Sequence, residues 1–148
     1  SHHRKIHRSV KKVLNNQWAL RIIGVALGLF FLYAGAKKLF LPPAPRTGGP
    51  TTIPPEFIDL IKALKASGYF MIMVAWFQLI SGVLLILDKT RLIGALFLIP
   101  ITFNIFAMHV VLDNRWDENL FTGLLLLANV WLIIPHLPNL YNPKLKTA

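Results

Sequence analysis

ASGYFMIMVAWFQLISGVLLIL (residues 66–87) and LIGALFLIPITFNIFAMHVVL (residues 92–112) are two long stretches of this chain without a single Asp, Glu, Lys or Arg. A helix of about 20 residues is roughly 30 Å long, which is the thickness of the hydrocarbon core of a bilayer. A chain of 148 residues has too little other mass to bury two such helices away from water. The sequence therefore predicts an integral membrane protein.

Two further apolar segments flank these stretches, so that four helices are expected to cross the membrane. The four spans are residues 18–39, 68–87, 92–112 and 119–134. Short polar turns at residues 88–91 and 113–119 join the last three spans, which makes these spans antiparallel neighbours. The predicted fold is all-α, a transmembrane four-helix up-down bundle.

Residues 41–55 are rich in proline and glycine, as in a loop, and an amphipathic segment follows at residues 56–66. Phe57, Leu60, Ile61 and Leu64 share one face of that segment. A short surface helix between the first and second spans is therefore expected at the membrane interface. The predicted organisation is a basic cytoplasmic tail (1–17), a transmembrane domain (18–134) and a cytoplasmic C-terminal tail (135–148).

Composition and charge narrow the classes of function. The net charge of +10 comes from basic residues that flank apolar spans, which indicates contact with the lipid bilayer rather than with nucleic acid. Ten basic residues fall on the side of both termini and six on the other, which places both termini in the cytoplasm. The chain has no cysteine, which excludes thiolate chemistry and iron–sulfur clusters. No catalytic motif and no metal-ligand spacing occurs.

Three carboxamides, Gln78, Asn104 and Asn129, lie near the middle of the second, third and fourth spans. An amide in hydrocarbon is costly unless it is hydrogen-bonded, so all three are expected to face inward at similar depth. Either they bond one another between helices, or they anchor an apolar ligand such as a quinone through its carbonyl. Both alternatives remain open.

A second polar group is expected nearer the outer surface. Thr102, His109 and Asp113 share one face of the third span, and Thr122 begins the fourth span at the depth of His109. A histidine paired with Asp113 can shuttle protons or orient a quinone, or it can be a satisfied polar residue near a helix end. It is not expected to hold a metal.

Small residues in the first span predict where another helix packs. Gly24, Gly28 and Gly35 lie near one face, with the first two in the small-xxx-small spacing. Glycines at this spacing allow a second helix to approach closely.

Several segments resemble DoxX-type membrane proteins. They are RIIG (21–24), YAGAKKL (33–39), FIDLIKALKASG (57–68), SGVLLIL (81–87), TRL (90–92) and PITFNIFAMH (100–109). The resemblance covers residues 18–134 and implies a four-helix bundle in a bacterial inner membrane. The family takes its name from a membrane subunit of a thiosulfate:quinone oxidoreductase, and other members associate with redox or stress-related partners. Where this family often carries a glutamate, the chain has Gln78.

Three functions follow as expectations. The first is a non-catalytic membrane subunit or accessory factor of a larger, redox-linked assembly, with a protein partner or a second copy of the chain. The second is a quinone- or lipid-binding component of a membrane oxidoreductase, with Gln78, Asn104, His109 and Asn129 lining the pocket. The third is a small transporter. No motif in the chain holds a cofactor, so a bound quinone or lipid is the expected ligand.

Overall fold

The computed structural model describes residues 2–40 and 53–138, and within these residues every regular element is helical. The elements are α1 (His2–Leu14), α2 (Gln17–Phe40), α3 (Pro55–Ala66), α4 (Phe70–Ile86), α5 (Arg91–Met108) with a π-helical turn (His109–Asp113), and α6 (Trp116–Ile133) with a 3-10 turn (Ile134–His136). The predicted all-α class is confirmed. Most of the predicted loop at 41–55 and most of the C-terminal tail lie outside the described residues.

Three helices are long and apolar enough to cross a membrane: α2, α5 with its π-helical turn, and α6 with its 3-10 turn. The 17 residues of α4 span about 25 Å at 1.5 Å per residue. It follows α3 after a bend of 88°, and the two together form a fourth candidate span. The outward faces of these helices carry large apolar side chains such as Ile22, Phe103 and Leu127, which are more than half exposed. Such faces are suited to lipid.

The closest helix pair is α2 and α4, which run antiparallel. A Cβ atom on Gly28 would lie 2.7 Å from the backbone oxygen of Gly82, and one on Gly82 would lie 2.8 Å from the oxygen of Gly28. Farther along, a Cβ on Gly35 would lie 2.8 Å from the oxygen of Ala75. The backbones therefore touch where the sequence places its small residues, as expected for the glycine face of the first span.

The remaining helices complete the packing. α5 packs against both α4 and α6, and α6 also packs against α2. Phe31, Leu85, Leu98 and Leu132, one from each of these four helices, are almost fully buried in the shared core. The core is therefore built by α2, α4, α5 and α6 together.

α3 forms where the amphipathic pattern predicts a helix. Pro55 occupies its first turn, where a missing N–H costs nothing, and Gly68 has a φ of +81° just after its end. The left-handed residue turns the chain from α3 into α4. α3 contacts both α4 and the π-helical turn.

The basic N-terminal segment is helical, which the sequence reasoning did not predict. α1 begins at His2 and ends at Leu14, and it exposes the apolar side chains of Ile6, Val10 and Val13. These three residues follow i, i+4 and i+7 spacing, and the basic residues lie on the opposite face.

Candidate functional site

A cavity of about 600 Å³ lies between α3, α4 and α5, beside the C-terminal end of α2. Its walls are mostly apolar and include Ile61, Leu64, Phe70, Val74, Ile101 and Met108. Phe77 and Phe97 also line it, with ring centroids 4.8 Å apart, and both are more than a third exposed on the outer surface of the helices. The cavity therefore opens sideways, towards the space that lipid occupies.

Lys38 and Gln78 meet at the wall of this cavity. Lys38 Nζ donates a hydrogen bond of 3.0 Å to Gln78 Oε1, and its distance to the backbone oxygen of Ala34 is 3.5 Å. Gln78 is 2% exposed in the middle of α4. Side chains on a helix lean towards its N-terminus, so Lys38, near the C-terminal end of α2, reaches inward to Gln78.

Asn104 lines the same cavity but is placed differently. Its side chain is exposed, and it makes no hydrogen bond with any of the residues that the structure describes. Asn104 lies near the middle of the candidate span Arg91–Asp113. An amide at that depth is costly without a partner, so Asn104 is available to a bound molecule.

Asn129 does not reach this cavity, because it is buried between α6 and α5. In the orientation that satisfies both ends of its amide, Asn129 Oδ1 accepts hydrogen bonds from Thr102 Oγ1 at 2.9 Å and from the backbone nitrogen of Ile99 at 3.2 Å. Asn129 Nδ2 then donates to the backbone oxygen of Ala95 at 2.9 Å. These backbone groups belong to the turn before Pro100, where a proline loosens a helix. Asn129 and Thr102 therefore stabilise α5.

The three central amides thus have three different environments. Gln78 and Asn129 face inward as expected, whereas Asn104 is exposed, and the alternative in which the three amides bond one another is not what the structure shows. Gln78 bonds Lys38, Asn129 bonds α5, and Asn104 is exposed beside the cavity. Only Gln78 and Asn104 share a cavity.

The predicted His109–Asp113 pair forms at the end of α5. His109 Nδ1 lies 2.8 Å from Asp113 Oδ2, and Arg115 donates to both carboxylate oxygens, with Nε at 2.7 Å from Oδ1. The Asp113 side chain has no exposed surface. The His109 ring packs on Phe57 of α3 with a centroid distance of 5.1 Å. This group therefore fixes α3 against the end of α5 and stands next to the cavity rather than in it.

Arg115 was not singled out in the sequence, although it completes this group. Its bonds to Asp113 raise the pKa of the guanidinium further above its ordinary value, so it remains a cation. Thr122 lies apart, since its hydroxyl donates to the backbone oxygen of Glu118 at 2.7 Å within α6. Two of the outer polar residues therefore pair as predicted, while Thr102 and Thr122 bond elsewhere.

At the opposite end of the helices, Asp88 accepts hydrogen bonds from Arg21 at 2.8 Å and from Arg91 at 2.6 Å. These bonds, that from Arg91 first, hold the pKa of Asp88 below its ordinary value. Arg91 Nε also donates to the backbone oxygen of Leu85 at 3.1 Å. This cluster ties the start of α2 to the turn between α4 and α5.

The described residues hold no group of three His, Asp or Glu side chains that could bind a metal ion. The residue at the cavity that the sequence analysis did not single out is Lys38. Its position in the sequence could have indicated this role, because the side chain of a lysine near a helix C-terminus leans back into the span.

Comparison with known proteins gives one finding. The sequence model of the DoxX family matches residues 19–110, which run from α2 into the π-helical turn and cover more than half of the chain. No curated protein and no solved structure matches the chain.

Proposed function

Since the chain belongs to the DoxX family, we propose that it is a four-helix up-down bundle of the bacterial inner membrane whose cavity holds one amphiphilic molecule, a quinone or a lipid. In this arrangement α2, α4, α5 and α6 cross the bilayer and α3 lies at its outer surface. Both termini are then cytoplasmic, because the larger number of basic residues lies on their side.

The observation that carries this proposal is the mostly apolar cavity with a few polar groups at its wall. A volume of about 600 Å³ falls in the range typical of small-molecule sites. The lateral opening suits a molecule that arrives from the bilayer, and the unpartnered amide of Asn104 suits a carbonyl or hydroxyl on its head. Asn104 and Gln78 would hold a quinone by its oxygens, and the quinone would supply electron-carrying chemistry when bound.

The chain is proposed to work within a larger, redox-linked assembly, because its sequence contains no catalytic motif. The glycine face of α2 is used inside the chain, against α4. A partner would therefore contact an outward face of the bundle. Purification in mild detergent, followed by mass spectrometry of co-eluting proteins, tests this role. A protein that is always monomeric and alone would contradict it.

Ligand binding is tested by filling the cavity. Val74→Trp places a large ring at the cavity wall, whereas Val83→Trp places the same ring on the outward face of the same helix, where Val83 is 49% exposed. Native mass spectrometry of protein extracted from membranes should show a bound small molecule in the wild type and in Val83→Trp. The molecule should be lost in Val74→Trp. If no molecule accompanies the wild type, or if Val74→Trp retains it, the cavity is not the binding site.

The membrane topology can be tested by labelling single introduced cysteines, because the chain has no cysteine of its own. Ser9→Cys in α1 and Lys62→Cys in α3 introduce single exposed thiols on the two proposed sides. A membrane-impermeant maleimide applied to intact spheroplasts should label Lys62→Cys and spare Ser9→Cys until the membrane is broken. The reverse pattern would invert the orientation.

A further inference from the structure

The charge of the cavity wall identifies the kind of ligand more closely. Of the described residues that line the cavity, only Lys38 is ionisable, and the other polar side chains are the amides of Gln78 and Asn104. None of these described residues carries a carboxylate. The cavity therefore presents one cation and two amides, surrounded by hydrocarbon.

The partners of Lys38 are both neutral. Its ammonium group contacts the amide oxygen of Gln78 and the backbone oxygen of Ala34, and none of the ion pairs within the described residues includes it. The arginines at the ends of the spans do form ion pairs with acids: Arg21 and Arg91 both pair with Asp88, and Arg115 pairs with Asp113. Lys38 thus differs from these cations, because no acid in the described part of the chain forms an ion pair with it.

Lys38 is exposed, but its ammonium group leans back along α2 to the buried Gln78, and a cation held there is unfavourable without an anion nearby. A lysine ammonium has three donors and no acceptor, and Gln78 and the longer contact with Ala34 use two of those donors. An acid bound in the cavity would supply the missing charge and accept a charge-assisted hydrogen bond from the remaining donor. A neutral quinone carbonyl would accept one bond but leave the charge unbalanced.

We propose that the ligand is a single-chain lipid with an anionic head, bound with its carboxylate or phosphate at Lys38 and Gln78 and its chain along the apolar wall. The inference rests on the proposed ligand-binding function and names the class of ligand. Asn104 lines the same cavity from α5, and its amide would bond a further oxygen of the head group. The chain of the ligand would leave through the lateral opening, past the contacting rings of Phe77 and Phe97.

The experiment uses the full-length protein in nanodiscs of a neutral phospholipid, and measures binding of four probes by native mass spectrometry. Palmitate and hexadecyl phosphate carry acid heads, hexadecanol carries the same chain with a neutral head, and a short-chain ubiquinone represents the quinones. We expect palmitate, hexadecyl phosphate or both to bind at least tenfold more tightly than hexadecanol. Whichever of the two acids binds more tightly identifies the source, a free fatty acid or a phosphate-headed lipid.

Lys38→Met tests the residue, and Lys37→Met is the matched control, since Lys37 is an exposed neighbour, as Lys38 is, but does not line the cavity. Lys38→Met should lower the affinity for the acid at least tenfold while leaving hexadecanol unchanged, and Lys37→Met should change neither by more than twofold. The two variants remove the same charge, so a general electrostatic effect would appear in both.

The outcomes separate the inference from the function on which it rests. If hexadecanol or ubiquinone binds as tightly as the acids, or if Lys38→Met keeps the preference for acids, the anionic head is wrong while ligand binding stands. If none of the four probes binds to the wild type, both the inference and the proposed binding function fail.

Discussion

Thr102 and Asn129 are joined by a hydrogen bond of 2.9 Å across the contact between α5 and α6, where neither residue is more than 1% exposed. Asn129→Ala would leave the Thr102 hydroxyl and the loosened turn before Pro100 without this partner. We expect the free energy of unfolding to fall by about 2 kcal/mol, from the lost hydrogen bonds and the small cavity. Denaturant titration of the protein in mixed micelles, followed by circular dichroism, measures the change.

Asn104→Ala is the matched control, because it removes the same atoms from a side chain with no hydrogen bond to the described residues. Its free energy of unfolding should change by less than about 0.5 kcal/mol. Equal losses in the two variants would mean that Asn129 does not stabilise α5 in the way described.

The helices could be predicted from the sequence where a long uncharged run, or a proline and a glycine at its ends, defines the helix. The run without charge at 92–112 corresponds to α5 with its π-helical turn, and Pro55 and Gly68 mark the limits of α3. α1 was missed because its many basic residues indicated a solvated tail. The helical spacing of Ile6, Val10 and Val13 was present in the sequence but was outweighed by that composition.

The candidate site was less predictable than the fold. Counting along each span gave the depth of Gln78, Asn104 and Asn129, but the rotation of each helix about its axis decides which neighbour an amide meets. In spans that are apolar on every side, the sequence pattern carries little information about that rotation. His109 and Asp113 were predictable because a four-residue spacing on one helix fixes their contact without any tertiary packing.

The contact between Gly28 and Gly82 predicts a large effect for a single methyl group. A Cβ on Gly28 would lie 2.7 Å from the backbone oxygen of Gly82, so α2 and α4 would have to move apart. We expect Gly28→Ala to lower the free energy of unfolding by about 1–3 kcal/mol.

Gly123→Ala provides the comparison for the same substitution. A Cβ on Gly123 meets only the ring of Phe106, at 3.3 Å, and a side chain can shift. Alanine favours a helix over glycine by roughly 0.5–1 kcal/mol, so this variant should be neutral or slightly more stable. Thermal unfolding in one detergent compares the two variants. If Gly28→Ala is as stable as Gly123→Ala, the close approach of α2 and α4 is wrong.

The buried carboxylate of Asp113 predicts that its arginine partner is needed for stability. Arg115→Met would leave Asp113, whose side chain has no exposed surface, with His109 alone. Removing one member of a buried ion pair commonly costs 3–5 kcal/mol, and we expect a loss of about that size. The detachment of α3 from the end of α5 should accompany it, seen as faster hydrogen exchange in α3.

The double variant Arg115→Met with Asp113→Asn distinguishes the lost charge balance from lost packing. With no buried carboxylate remaining, the double variant should recover at least half of the stability that Arg115→Met loses. If the double variant instead loses as much stability as the single variants Arg115→Met and Asp113→Asn lose together, the two residues do not act as a pair.

The cluster of Arg21, Asp88 and Arg91 predicts a defined dependence of stability on pH. The arginines hold the pKa of Asp88 below its ordinary value of 3.8, so this carboxylate stabilises the folded state above pH 3.8. Its contribution should be lost as the pH falls from 3.8 through the lower pKa of the folded state. Because Asp88 is exposed, 1 M salt should weaken the effect at neutral pH.

Unfolding midpoints of the wild type, Asp88→Asn and Asp59→Asn, measured from pH 7 to pH 2, test this dependence. Asp88→Asn should be less stable than the wild type at pH 7, and the two should converge as the pH falls below 3.8, since the wild type then loses the same charge. Asp59 is exposed on α3 and forms none of the ion pairs within the described residues, so Asp59→Asn should follow the wild type throughout. A difference between Asp88→Asn and the wild type that stays constant down to pH 2 would show that the arginines do not act through the charge of Asp88.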